Sequence, residues 1–252
     1  MKPYFDDGQV SLYLGDMREI LPALSLTADC MIADVPYGVT SLPWDQWPDR
    51  WLEVAAAVTP SLWCFGSLRM FLEHGAEFTA ARWKLSQDII WEKHNGSGFH
   101  ADRFRRVHES AAHWYKGPWG DIFHQVPTTP DATAKAVRRK QRPAHTGHIE
   151  ASSYVSYDGG PRLARSVLRF PSMHGRAIHP TQKPSGLVDV MLSYACPPGG
   201  LVVDPFAGSG TVLDAARCSG RRAVGVELHE PYAEAAARRL AQASLFGDGG
   251  AA

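Results

Sequence analysis

Two stretches of the chain hold residue types that could bind a nucleotide-like ligand and act on it. The first runs from Leu201 through Asp204-Pro-Phe-Ala-Gly-Ser-Gly210 to Glu227. Gly208 and Gly210 have no Cβ, so a ligand can come close to the backbone, and a helix N-terminus behind them favours a negative group. Glu227 ends the next apolar run, where nucleotide-binding sheets place the acid that holds ribose hydroxyls. The dinucleotide spacing G-x-G-x-x-G is not met, because position 213 is Leu, and this argues against a nicotinamide or flavin dinucleotide. The second stretch is Asp34-Val-Pro-Tyr37, behind the apolar run Cys30-Met-Ile-Ala33. Taken alone, these four residues read as a strand end followed by an Asp-Pro turn. His94, His100, His108 and His113 are spaced like no common ligand set, so no metal is expected.

The elements that position these residues follow from periodicity. Val10–Leu14, Asp29–Ala33, Leu62–Phe65, Asp88–Trp91, Ser110–Tyr115, Leu201–Val203 and Arg222–Glu227 read as strands. Helices are predicted from Pro48 through Val58, across Met70 to Ala81 with Ser67 as N-cap, and from Ser185 to Cys196. Two more are predicted over Ser209–Cys218, stopped by Gly220, and from Pro231 to about Gln242. Strands alternating with helices predict an α/β fold, with a mostly parallel Rossmann-like sheet and helices on both faces. Such sheets bind ligands beyond the carboxyl ends of their strands. Asp16, Asp34, Asp204 and Glu227 each follow a predicted strand, so all four should crowd one edge.

The total of 26 basic and 26 acidic residues says nothing about partners, but their distribution does. Residues 1–60 carry nine acids against three Lys/Arg, and residues 117–178 carry nine Lys/Arg against four acids. From Gly117 to about Arg169 the periodicity fails, and Lys135, Arg138, Arg139, Lys140 and Arg142 cluster there. Alone, this cluster reads as a solvated linker. The division expected is one domain in two halves, 1–116 and 170–243, with an inserted segment 117–169 and a disordered tail 244–252. Cys30, Cys64, Cys196 and Cys218 form no C-x-x-C pair and suit buried thiols in a reducing compartment. No leader and no long apolar run is present, so neither secretion nor membrane insertion is expected.

Asp204-Pro-Phe-Ala-Gly-Ser-Gly210 resembles the cofactor motif of S-adenosylmethionine-dependent DNA amino-methyltransferases. Asp34-Val-Pro-Tyr37 resembles their Asp-Pro-Pro-Tyr catalytic motif, with Val where the first proline stands. The catalytic motif precedes the cofactor motif, and His179-Pro-Thr-Gln-Lys-Pro184 lies just before the latter, which is similar to the circularly permuted beta arrangement. Trp91-Glu-Lys-His-Asn95 and His108-Glu109 also resemble motifs of the family. The resemblance implies that Asp34 and the Val35 carbonyl accept the two N–H groups of an exocyclic amine, which would free its lone pair for methylation. Pro36 would fix the loop, and Tyr37 would stack on a base flipped out of the duplex. It places Asp16 at the cofactor's adenine, and Asp204, Phe206, Gly208, Ser209, Gly210 and Glu227 around the cofactor. Thr181 and Lys183 would hold its methionine end.

The family resemblance thus implies an enzyme that moves a methyl group from S-adenosylmethionine to adenine N6 in double-stranded DNA. Asp at position 34 favours adenine; N4-methylation of cytosine is the alternative, and Val35 is the one hint of an inactive DNA-binding relic. The basic segment becomes a DNA-recognition element whose Lys and Arg side chains neutralise phosphates. So short a segment grips little DNA in one copy, which implies a homodimer. A cytoplasmic, DNA-associated protein of bacterial or phage origin is expected, and no residue points to a restriction partner. Trp44, beside the catalytic loop, is a candidate wall of the base pocket.

Overall fold

The computed structural model describes residues 1–38, 42, 44–97, 101–138, 153–173 and 182–247. The chain divides into two compact units, Met1–Gln125 with Ser166–Ala252, and Val126–Arg165. The main unit opens with β1 (Phe5–Asp6), β2 (Val10–Leu14), α1 (Met17–Leu24), β3 (Cys30–Ala33), α2 (Trp51–Val58) and β4 (Ser61–Gly66). It continues with α3 (Leu68–Ala80) and a hairpin of β5 (Lys84–Ser97) and β6 (Arg106–Tyr115). The second unit holds two antiparallel pairs. In these, β7 (Thr128–Thr129) pairs with β10 (Arg162–Leu163), and β8 (Lys135–Arg138) with β9 (Ser153–Ser156). The main unit resumes with β11 (Val167–Arg169), α4 (Ser185–Ala195), β12 (Leu201–Asp204), α5 (Thr211–Cys218), β13 (Arg222–Glu227) and α6 (Glu230–Gly247).

Nine strands form one sheet in the order β1-β2-β13-β12-β3-β4-β6-β5-β11. The run from β2 to β4 is wholly parallel; β6 runs against both its neighbours, and β1 against β2. The period-2 pleat sorts the core into two layers. Cys30 and Ile32 pack on the α4–α5–α6 face, while Met31 and Ala33 pack on the α1–α2–α3 face. Both faces are covered, as the unbroken apolar runs required.

Several elements depart from the sequence reading. Helix α1 was not foreseen, because Pro22 lies inside it and reads as a breaker. Its buried Met17, Ile20 and Leu21 have helical spacing, and Asp16 caps it by accepting the Arg18 N–H. Helix α2 starts at Trp51 rather than Pro48, since Arg50 takes a left-handed φ of 58°. The hairpin strands are much longer than the predicted 88–91 and 110–115, because backbone pairing carries on through polar ends that show no apolar pattern. β11, three residues inside the stretch taken as irregular, is recruited by the open edge of β5. Helix α6 runs on to Gly247, into the stretch expected to be a disordered tail.

Candidate active site

The sheet reverses its order between β12 and β3, and the crevice beyond their carboxyl ends is where such a sheet takes a ligand. A cavity of about 520 Å³ opens there. Asp16 after β2, Asp34 after β3, Asp204 ending β12 and Glu227 ending β13 all line it, with Pro36, Phe206, Gly208, Ser209 and Lys183.

The glycine turn is built by its own backbone and by Glu227. Gly208 and Gly210 take left-handed φ values of 48° and 71°, which side chains with a Cβ resist. Glu227 accepts the Gly208 N–H through Oε2 and the His229 N–H through Oε1, both at 2.8 Å, so its carboxylate braces the turn as well as facing the cavity. Burial raises its pKa against these two bonds. Gly210 does not line the cavity. A Cβ there would meet Ala236 of α6 at 3.2 Å, so its glycine serves helix packing rather than ligand approach. Thr211 and Val212, the first residues of α5, do line the cavity, which turns the positive end of that helix toward it. Asp204 is almost fully buried and accepts the Phe206 N–H at 3.1 Å; burial pushes its pKa up to about 8. Asp16 is engaged by Arg18, at 2.5 Å, and by its capping bond, and the Arg18 hydrogen bond holds its pKa low.

Around Asp34, charges alternate through a largely buried chain, in which Lys183 is the most enclosed. Lys183 Nζ donates to Asp34 Oδ2 at 2.6 Å and lies 3.5 Å from Glu109 Oε2, while Lys93 donates to Glu109 Oε1. The Lys183 ammonium sits 5.0 Å from the centre of the Phe65 ring. Burial works against its charge, but the carboxylates of Asp34 and Glu109 outweigh this and raise its pKa, so it stays an ammonium. Burial raises Asp34, against the pull of Lys183. Glu109 is partly buried, which raises its pKa, but the two lysines around it outweigh this and lower it. Asp34 Oδ1 takes no hydrogen bond from the described residues and remains an acceptor.

The other expected site residues are placed unevenly. Val35 is buried in the α1–α2–α3 core, and Tyr37 is partly exposed against the same core, outside the cavity lining. Gly38 donates to Asp45 at 2.9 Å, which pins the end of this loop. Trp44 packs on the rings of His229 and Tyr232, 6.5 and 6.2 Å away, and walls the cavity beside them. Lys135 and Arg138 are exposed on β8 of the second unit. Thr181, Arg139, Lys140 and Arg142 lie outside the described residues. Sequence reasoning assigned no role to Lys93 or Glu109. Their signal was there: both stand in Trp91–Asn95 and His108-Glu109, stretches that the family resemblance had already marked. Among the described residues, no group of His, Cys, Asp or Glu side chains converges as metal ligands would, and no helix is long and apolar enough to cross a membrane.

Fold and site together define an α/β protein with a nucleotide-type cleft, whose glycine turn and Asp34 carboxylate share one cavity. The profile described as DNA methylase, of the N6/N4 type, matches residues 28–238, and the chain belongs to that family. It is 24% identical over 263 aligned positions to the type II methyltransferase M.ScaI of Streptomyces caespitosus, covering 95% of this chain and 84% of that protein. Among solved structures, the complex of M1.HpyAVI with SAM aligns with a TM-score of 0.63 at 22% identity, over 91% of this chain and 99% of that one. The cytosine-N4-specific PvuII DNA methyltransferase aligns with a TM-score of 0.64 at 14% identity, over 100% of this chain and 91% of that one.

Proposed function

We propose that this DNA methylase uses S-adenosylmethionine to methylate the exocyclic N6 of adenine in double-stranded DNA, with its motifs in the beta order. The observation that carries the reading is the single cavity with Asp34 at one end and the Gly208–Glu227 turn at the other. The residues suit the cofactor: Glu227 for ribose hydroxyls, the α5 N-terminus with Ser209 for a carboxylate, and buried Asp204 for a cationic centre. Asp16, Phe206 and the Trp44–His229–Tyr232 rings enclose the adenine end, with Lys183 toward the methionine end, a role that the family resemblance gives to Thr181 as well. When bound, S-adenosylmethionine supplies a methyl group already activated on a sulfonium.

The protein's part is to make a poor nucleophile reactive. The lone pair of an exocyclic amine is conjugated into the base, and accepting both its N–H groups draws the nitrogen toward tetrahedral geometry. Asp34 Oδ1 and the Val35 carbonyl are the two acceptors. The Asp34 charge then steadies the positive charge that develops on nitrogen. Pro36 biases Val35 toward an extended backbone and its buried side chain anchors it, so valine serves where the family has proline. Tyr37 is the ring for a base turned out of the duplex. The second unit, with Lys135, Arg138 and the following Arg139, Lys140 and Arg142, is the DNA-recognition segment. A homodimer would double its grip. The protein would act in the cytoplasm on DNA.

The test is transfer of isotope-labelled methyl groups to DNA, followed by mass spectrometry of nucleosides. N6-methyladenine supports the reading; N4-methylcytosine, the product class of the PvuII enzyme, would replace it. Asp34→Ala should abolish transfer while leaving cofactor affinity within a few-fold. Glu227→Ala should chiefly weaken the cofactor, since it also frees the Gly208 turn. Equal losses of cofactor binding in both variants would overturn the roles.

A further inference from the structure

The chain Lys93–Glu109–Lys183–Asp34 reaches from the hairpin of β5 and β6 to the proposed reactive carboxylate, and the mechanism above gives no part to Lys93 or Glu109. Two carboxylates compete for one ammonium. Lys183 Nζ is 2.6 Å from Asp34 and 3.5 Å from Glu109 Oε2, a buried oxygen that has no hydrogen bond among the described residues. Glu109 is itself tied to Lys93, whose ammonium lies 4.7 Å from the centre of the Trp91 ring. Hairpin register sets this up, because Trp91 pairs with Glu109 across the strands.

We propose that Glu109 and Lys93 are positioning residues, which set how tightly Lys183 holds Asp34 and so how strongly Asp34 accepts the substrate amine. This rests on the reading of Asp34 as that acceptor. An ammonium held wholly by Asp34 would blunt its acceptor strength. Glu109 offers the ammonium a second place, a short movement away, at the moment the amine arrives. Lys93 limits the pull by engaging the other oxygen of Glu109. The alternating signs keep the set neutral, which is what a buried cluster of charges requires.

The signs of the effects are opposite, and that makes the proposal testable. Asp34 feels Lys183 and Lys93, which lower its pKa, and Glu109, which raises it; Asp204, Tyr37 and Cys64 also face it, and Arg106 lies near Tyr37. Glu109→Gln removes a negative charge and with it the carboxylate that competes with Asp34 for Lys183. The acidic limb of the kcat–pH profile should move to lower pH, and kcat on its plateau should fall by about tenfold. Lys93→Met frees Glu109 to draw Lys183 away, so the acidic limb should move to higher pH. In the double variant Lys93 has no Glu109 charge left to restrain, so the limb should lie close to that of Glu109→Gln alone, the non-additivity of coupled neighbours in one network.

The same shifts should appear without DNA, in the ¹³C carboxylate titration of Asp34 in aspartate-labelled protein, with Asp34→Asn to assign the signal. A wild type that methylates no DNA while Asp34 shifts oppositely in the two variants would overturn the DNA reading and support the network. Shifts of the same sign, no shifts, or loss of the folded circular-dichroism spectrum in the isosteric Glu109→Gln would show a purely structural pair and overturn the proposal.

Discussion

Asp204→Asn tests how the site stores energy. Asp204 ends the central strand β12 almost fully buried, and its Oδ1 accepts the Phe206 N–H. Burial, with the nearby carboxylates of Asp34 and Glu227, raises its pKa from 3.8 to about 8. Below pH 3.8 both folded and unfolded chains carry the neutral acid, and it costs nothing. Above that the unfolded chain ionises while the folded one does not, so stability falls by about 1.4 kcal/mol per pH unit until the folded acid ionises near pH 8. The accumulated loss is roughly 4 kcal/mol at pH 7 and between 5 and 6 kcal/mol at pH 9. Asparagine keeps the acceptor for Phe206 and cannot ionise. Whatever constant offset its amide brings, the variant should gain on wild type from pH 4 to pH 8, then run parallel to it. Urea unfolding of both proteins at pH 5, 7 and 9 measures this. A difference that stays constant across the three values would refute the buried, neutral Asp204. In the proposed function a cationic cofactor favours the ionised acid. Wild type should therefore release a proton on binding it at pH 7, read by titration calorimetry in buffers of different ionisation enthalpy, and Asp204→Asn should not.

Replacing Lys135 and Arg138 together with alanine should weaken DNA binding and reduce the log–log salt slope by roughly 0.9 for each lost phosphate contact. An unchanged slope would move the contact to other basic residues. Trp44→Ala should weaken cofactor binding roughly two- to tenfold, the worth of its ring contacts with His229 and Tyr232, with kcat at saturating cofactor unchanged. A fall in kcat alone would return Trp44 to the base pocket that the sequence suggested.

The main strands and the glycine turn were legible because their signals are local. Four β-branched or apolar residues in a row, an acid after them and a glycine that must turn left are properties of adjacent residues, and backbone sterics act over that range. The crowding of Asp16, Asp34, Asp204 and Glu227 was legible for a related reason: a parallel sheet sends all its strand ends to one side. Three other features gave weak signals. Pro22 hid α1, three residues were too few to announce β11, and polar strand ends hid the length of the hairpin.

What tertiary structure alone decided is how each acid is used. Position in the chain makes Asp16, Asp34, Asp204 and Glu227 equivalent; packing makes them different. Asp16 is spent on Arg18 and a helix cap, Glu227 on two backbone N–H groups, and Asp204 on one such bond in a site that disfavours its charge. Asp34 keeps one oxygen open beside Lys183, a residue from the far half of the chain. Lys93 and Glu109 join that site only through hairpin register and the pairing of β6 with β4. Gly210 looked like a place for ligand to approach and proved to be a place for α6 to pack. A local pattern can announce that a carboxylate stands at a strand end. Which donor reaches it, and whether water does, depends on side chains brought in from distant parts of the sequence, and only the packed fold brings them there.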